Sequence, residues 1–555
     1  MRAFLTALLV LAITPAAAVD VRAAEKGSVD ARVEKLFAAW DKPDTPGAAI
    51  AVARDGKTIY RHAFGLANLT YGIPLTPETP VNAGSIAKHV TAVALLTLEA
   101  EGRLSLEDEI HKYLPELPDY GAPITIRNLL QQTSGLRDYR TLMFLAGWLS
   151  GDVQTNDQAL KIIFRQKHLN FPTGTSFIYS NTNFVLGAEI VARVTGESFG
   201  KWVREHLFLP LGMTHTLIRE DYTSIVPGLA ASYARNASGE GFQEDLLVSS
   251  VVGSGNLITT ADDLLIWADH LMNATPGGRP LLERLREQAV LPGGEHVGYG
   301  LGMFVGSHRG LPIVHHGGET AGNRADLMLI PDRHLAIVML ANVSAIRPEL
   351  AGRGLADIFL ADKLPAAKPS SAHPPEPALP FSAYEGLYEI GKGVLVEVGR
   401  DANASPIVIF AGTPPSLLIP LGGHRFVTDE TGVVFRFVPD KDGKVDGIVL
   451  EIAGRPDMPG HRLPPVKLSP REFKRYAGTY FSDELETFYH VVVDGDGLVI
   501  HHKRLKDVHL APIGDDWFLE RPGGNITIVF ERRSGRVRGF DLSVDRARHI
   551  TFEKR

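Results

Sequence analysis

Ser85 and Lys88 place a hydroxyl and an amine three residues apart, in Ala83-Gly-Ser-Ile-Ala-Lys-His89. If the stretch to Gly102 is helical, that spacing sets both side chains on one face, about 4.5 Å apart along the axis, within reach of a proton transfer. A serine hydroxyl is a poor nucleophile at neutral pH. A desolvated lysine beside it is neutral enough to take its proton, and a helix N-terminus favours the negative charge that then develops. The same two residues also fit a helix cap followed by a solvated charge. About two Ser-x-x-Lys matches are expected by chance in a chain of ordinary composition and this length, and a second stands at Ser198-Phe-Gly-Lys201. Only the surrounding residues can separate them.

Two further segments carry matching chemistry. Tyr179-Ser-Asn181 is the only Tyr-x-Asn in the chain. A tyrosinate could deprotonate a serine or reprotonate a leaving group if a cation such as Lys88 lowered its pKa from about 10. The Asn181 amide can both donate to and accept from a substrate amide. Both residues equally suit a loop that ends in a helix. Val314-His-His316-Gly317-Gly318-Glu319 reads as a strand edge whose paired glycines let a ligand approach the backbone. Such an edge can offer a backbone N–H to an oxyanion, with the N–H of Ser85 as the second donor. The two histidines also fit a polar strand end or a weak metal pair, but no glutamate is spaced as in His-Glu-x-x-His, so no metal is expected.

In this order the three segments resemble the Ser-x-x-Lys, Tyr-x-Asn and (Lys/His)-x-Gly motifs of the serine beta-lactamase and penicillin-binding-protein superfamily. The likeness is to the branch of class C beta-lactamases, DD-peptidases, esterases and D-aminopeptidases, since class A enzymes carry Ser-x-Asn where this chain has Tyr179-Ser-Asn181. Ile124-Thr-Ile-Arg-Asn-Leu-Leu-Gln-Gln-Thr-Ser-Gly-Leu136, Gly255-Asn-Leu-Ile-Thr-Thr-Ala-Asp-Asp263 and Tyr299-Gly-Leu-Gly302 extend it from about Val29 to Asn342. The resemblance implies that Ser85 is the acyl-accepting nucleophile, that Lys88 and Tyr179 share the proton transfers, and that Asn181 positions a substrate amide. It places His316 and Gly318 on the third motif, maps an oxyanion hole to the backbone N–H groups of Ser85 and Glu319, and implies no metal or organic cofactor. Ser198 and Lys201 are left as helix surface. Beta-lactamases of this group usually carry lysine where this chain has His316, and a mostly neutral histidine holds a carboxylate less well at pH 7. That shifts weight from beta-lactam hydrolysis to esterase, amidase or aminopeptidase chemistry, with Arg324 a nearby candidate for the missing charge. A protein that is acylated without turning over would carry the same motifs.

The elements that must position these residues can be read in outline. The 555 residues, 44% apolar, are enough for two or three domains. A net charge of −7 and no long basic run argue against nucleic acid as a partner; the expected partner is a small-molecule or peptide substrate, peptidoglycan-derived ones included. Residues 1–23, a basic residue then a short apolar run then small residues, read as a signal peptide for a periplasmic or secreted protein. That run is too short to span a bilayer, and no transmembrane anchor is expected. Having no cysteine suits an exported protein stabilised by its core alone.

Residues 29–362 mix hairpins and helices. Pro46 to Gly65 reads as two strands joined at Asp55-Gly56, and Ala325 to Asn342 as a second hairpin turning at Pro331-Asp-Arg-His334. Helices are expected at Asn181–Thr195 and Thr260–Asn273. The whole predicts an α+β domain: one antiparallel sheet closed by N- and C-terminal strands, with helices inserted between. Residues 363–380 read as a proline-rich linker. Beyond it, Tyr384-Glu-Gly-Leu-Tyr388 recurs as Tyr476-Ala-Gly-Thr-Tyr480 and Gly443-Lys-Val-Asp-Gly447 as Gly535-Arg-Val-Arg-Gly539, both displaced by 92 residues. Short alternating segments between turns predict two small antiparallel β-barrels, 381–465 and 466–555, with Pro464-Pro465 at the seam. A hydrolase domain followed by a linker and two such barrels resembles the D-aminopeptidase members of the superfamily, whose third domain sends a loop towards the active site.

Overall fold

The computed structural model describes residues 28–361, 376–391, 394–401, 403–410, 415–428, 433–452, 457–521 and 524–555. The leader reading at 1–23 and most of the linker reading lie outside them.

The N-terminal unit is a six-stranded antiparallel sheet. Its strands are β1 (Ala48–Arg54), β2 (Lys57–Phe64), β3 (Phe304–His308), β4 (Leu311–Thr320), β5 (Asn323–Ile330) and β6 (Leu335–Ala341), in the order β3-β4-β5-β6-β1-β2. N- and C-terminal strands therefore meet at the β1/β6 pair, where Ala48 faces Ala341. Both expected hairpin turns form: Asp55 and Gly56 take positive φ, as the twist of a tight hairpin demands, and His334 does so at the second. Alternation explains how one strand serves two layers. Ala49, Ala51 and Ala53 of β1 face the helical layer, while Ala48, Ile50 and Val52 face the other core.

The second core is closed by α1 (Val29–Phe37) and α7 (Pro348–Phe359). The helical layer holds α2 (Ala87–Ala100), α3 (Tyr139–Leu145), α4 (Asn181–Thr195), α5 (Phe199–Val203) and α6 (Ala261–Asn273). One apolar core runs from this layer into the second barrel.

Two local expectations need correction. Ser85 does not lie in the α-helix: Gly84–Ile86 form a 3-10 turn, entered through Gly84 at φ +52°, and α2 begins at Ala87. Ser85 thus lies in the turn just before α2 and Lys88 in its first turn, and the two side chains still meet. Nor is β4 an edge strand, because β3 lies outside it. That pairing stops at Phe304–His315, however, so His316 to Thr320 continue past their outer neighbour.

Both C-terminal units are closed eight-stranded antiparallel barrels, one running from Gly386–Ile390 to Met458–Arg462, the other from Gly478–Ser482 to Ala547–Lys554. The repeated Tyr-x-Gly-x-Tyr does the same work in each: the buried Tyr388 hydroxyl donates to the Tyr384 carbonyl at 2.7 Å, and Tyr480 to that of Tyr476 at 2.5 Å. Among the described residues no helix is long and apolar enough to cross a membrane.

Candidate active site

Ser85 sits half-exposed on the 3-10 turn, and the side chain of Lys88 turns back from the start of α2 into the core, fully buried. Lys88 Nζ lies 3.0 Å from Ser85 Oγ, 2.8 Å from the Asn181 side-chain oxygen and 2.9 Å from the Ser254 carbonyl. All three partners are neutral. Burial drives the Lys88 pKa well below its ordinary value; the charge of Asp138 opposes this, and those of Arg546 and Arg140 add to it. Burial therefore favours the uncharged form of the amine beside Ser85.

Asn181 opens α4, and its amide is engaged at both ends. Its oxygen accepts from Lys88, while its Nδ2 and its backbone N–H donate to Asp138 Oδ2 at 2.8 and 2.6 Å. Asp138 is in turn the N-cap of α3, accepting from the N–H groups of Arg140 and Thr141, both at 3.1 Å. Two helix starts are thus tied together by one buried carboxylate, which sits one residue behind the lysine and not on it.

Tyr179 lies within 4.7 Å of Lys88 Nζ, measured to the ring centroid, and its hydroxyl bonds Ser85. The lysine does not make it a tyrosinate. Burial raises the Tyr179 pKa, and the bond to Ser85 and the charge of Arg546 lower it by less. Tyr179 is therefore a phenol here and not a tyrosinate.

The third motif meets Ser85 through its backbone. A Cβ on Gly318 would stand 2.0 Å from the Ala83 carbonyl, and one on Gly84 would stand 3.0 Å from the Glu319 nitrogen. Only glycine lets β4 lie this close to the serine turn, and the closeness puts the N–H of Glu319 beside Ser85. Glu319, Ser85, Asn181, Arg140, Ser254 and Gly84 line one cleft. His316 is buried behind it. Its Nδ1–H donates to the Gly317 carbonyl at 2.5 Å, and Nε2 accepts from the Tyr299 hydroxyl at 3.2 Å. Burial pushes its pKa well below the usual histidine range, so it is neutral. Arg324 bonds the carbonyls of Ala321 and Asn323 through Nη1, each at 2.7 Å, and its Nε lies 4.0 Å from the Glu319 carboxylate.

All seven residues singled out in the sequence, Ser85, Lys88, Tyr179, Asn181, His316, Gly318 and Glu319, therefore converge. Ser198 and Lys201 stay on the surface. Three contributors escaped the sequence reading. Asp138 carried a signal, an aspartate just before a helix. Tyr299 stands in the segment Tyr299-Gly-Leu-Gly302, which carries the family resemblance but no chemistry of its own. Arg546 carried none, because it arrives from the second barrel on the turn between the strands Arg536–Val544 and Ala547–Lys554. Its guanidinium lies 5.1 Å from the Tyr179 ring centroid. Its carbonyl accepts from the backbone N–H of Asp138 at 3.0 Å and from Asn170 Nδ2 at 3.1 Å. Beneath it, Arg137 pairs with Glu484 of the same barrel at 2.7 Å, with both side chains buried.

Comparison with known proteins gives the family and the fold. A family model described as Beta-lactamase matches residues 29–358. Over 525 residues, 92% of this chain and 96% of theirs, the chain is 26% identical to the D-aminopeptidase of Brucella canis. It is 25% identical to that of Brucella anthropi over 92% of this chain and 95% of the relative. Among solved structures, the octameric penicillin-binding protein homologue from Pyrococcus abyssi superposes with a TM-score of 0.55 at 21% identity, over 86% of this chain and 98% of that one. The D-amino acid amidase from Ochrobactrum anthropi SV3 does so with 0.52 at 21% identity, over 61% of this chain and all of the other, 100%. At such identities the structural likenesses speak for the fold. Together with the match over more than half its length, they make this chain a serine hydrolase that belongs to the beta-lactamase family, built on the three-part architecture of its D-aminopeptidases.

Proposed function

We propose that the protein is an exported hydrolase that forms an acyl-enzyme on Ser85 and cleaves amide or ester bonds of small or peptide-like substrates, with D-aminoacyl amides the leading class. The observation that carries the chemistry is the fully buried Lys88 amine 3.0 Å from Ser85 Oγ, among neutral partners. Ser85 loses its proton to Lys88 as Oγ attacks the carbonyl carbon, and the oxyanion accepts from the N–H groups of Ser85 and Glu319. When the tetrahedral adduct collapses, the phenol of Tyr179 gives its proton to the departing nitrogen and regains one from the Lys88 ammonium. Water then attacks the ester with Lys88 again as the acceptor, and Lys88 returns that proton to Ser85 Oγ as the ester bond breaks. Asn181 holds Lys88 in place throughout and shares its Nδ2–H between Asp138 and the substrate. The substrate class rests on the D-aminopeptidases that match the chain along nearly its whole length, and export rests on the leader reading of residues 1–23. Neutral His316 disfavours efficient beta-lactam hydrolysis, because a substrate carboxylate finds no cation on that strand.

A turnover screen across D- and L-aminoacyl p-nitroanilides, p-nitrophenyl esters, D-Ala-D-Ala peptides and nitrocefin tests this, alongside intact mass spectrometry of the protein during turnover. D-aminoacyl anilide cleavage with a transient acyl adduct on Ser85 is the expected result. Activity confined to esters would remove the aminopeptidase reading, and a permanent penicillin adduct with no turnover would replace the enzyme by a sensor.

A further inference from the structure

Three charged groups face the Lys88–Tyr179 pair: Asp138 and Arg140 from the start of α3, and Arg546 from the barrel hairpin, where Asp545 is bonded to it. From β4 come His316, which is neutral, and Glu319, which lines the cleft. The site therefore lacks a cation on its third motif and receives one from a different part of the chain. The delivery is built into the backbone. The Arg546 carbonyl is gripped by Asp138 and Asn170, the N–H of Arg548 donates to Asn170 Oδ1 at 2.8 Å, and Arg137 donates to the carbonyls of Arg548 and His549. None of these bonds uses the Arg546 side chain, which is free to lie over Tyr179 with its Nε 3.1 Å from Asp545 Oδ2.

We propose that Arg546 is a positioning residue of the hydrolase site: the cation, supplied by the second barrel, that keeps Lys88 in its proton-accepting form in place of a charge on the third motif. This rests on the reading of Ser85 as nucleophile and Lys88 as base. A positive charge near Lys88 disfavours its ammonium form, and the same charge over Tyr179 eases the loss of the phenolic proton, so both proton transfers are helped in the required direction. The side chain is 39% exposed, which lets solvent and salt weaken the field but not remove it. Asp545, 42% exposed and bonded to the same guanidinium, is the built-in opponent.

The test follows Ser85 labelling by a fluorophosphonate in the full-length protein as a function of pH, which requires no knowledge of the substrate. The wild-type rate should rise with pH along an acidic limb set by deprotonation of Lys88. Arg546→Met should move that limb to higher pH and slow labelling about threefold to tenfold below it. Arg546→Lys should restore it, and Asp545→Asn should move it the other way. An arginine that mattered only for docking the hairpin would lower the rate without shifting the limb, and lysine would not rescue it; that result overturns the proposal. Absence of Ser85 labelling in the wild type would instead sink the reading of Ser85, and Arg546 with it. A wild type that labels normally with a limb indifferent to Arg546→Met sinks Arg546 alone.

Discussion

Ser85-Ile-Ala-Lys88 and Ser198-Phe-Gly-Lys201 share a spacing and even a local role, since each serine stands at the start of a helical turn. Their surroundings are opposite. The Ser198 hydroxyl accepts the N–H of Lys201 at 3.3 Å as the cap of α5 and donates to Glu220 at 2.7 Å. Lys201 is 56% exposed and bonds the Glu197 carboxylate at 2.5 Å, which raises its pKa. Lys88 has no exposed surface, and a hydroxyl, an amide oxygen and a peptide carbonyl surround its nitrogen. A carboxylate in contact makes lysine a fixed cation; burial among neutral dipoles favours its uncharged form. The motif's chemistry thus comes from what is packed around it.

The largest contrast expected between the two sites is in turnover. Ser85→Ala should lower kcat by about 10⁴-fold or more with its fold intact, because the attacking atom is gone and only binding and oxyanion contacts remain. Near-wild-type kcat in that variant, with circular dichroism unchanged, would end the assignment.

A milder change should convert the first site towards the second. Asn181→Asp puts a carboxylate where an amide oxygen now stands 2.8 Å from Lys88 Nζ, next to Asp138. Two adjacent carboxylates are relieved by holding Lys88 as ammonium, so kcat/KM at neutral pH should fall about tenfold to a hundredfold and its acidic limb should move to higher pH. The sign follows from the active form being the neutral amine: a raised Lys88 pKa requires a higher pH to reach it. In the wild type the same profile should show no inflexion near 6.5, because burial holds His316 well below that range and His89 at about 3. A clear histidine inflexion there would mean that His316 is more open to water than its 2% exposure indicates.

Legibility in the sequence followed the range of the interaction. Hairpins at Asp55-Gly56 and Pro331–His334, helices α4 and α6 and both barrels were readable, because turn chemistry, periodicity and an internal repeat are local. The seven site residues were readable because each lies in a short motif. Gly84 and Gly318 could be seen as glycines, but their reason, a strand pressed against the serine turn, is a contact between distant segments. The charge state of Tyr179 is hidden for the same cause, since it depends on burial that no spacing reveals. Arg546 shows the limit. Nothing near it marks it, and only the docking of the second barrel on Arg137, Asp138 and Asn170 brings it to Tyr179.

The smallest expected effect belongs to the second copy. Ser198→Ala removes one cap bond to Lys201 and one bond to Glu220, whose other oxygen still accepts from the N–H of Gly200 at 2.9 Å. Cap serines replaced by alanine cost about 1 kcal/mol, and the exposed position lets water take over part of what is lost. The denaturation midpoint in urea should therefore fall slightly, with kcat and the fluorophosphonate labelling of Ser85 unchanged. The informative reading is the ratio of the two outcomes. If Ser198→Ala lowered turnover by more than it lowered stability, α5 would have to act on α4, which it follows directly in the chain, and so on Asn181. A Ser-x-x-Lys on a solvated helix would then matter through packing, and the contrast with Ser85 would be one of degree.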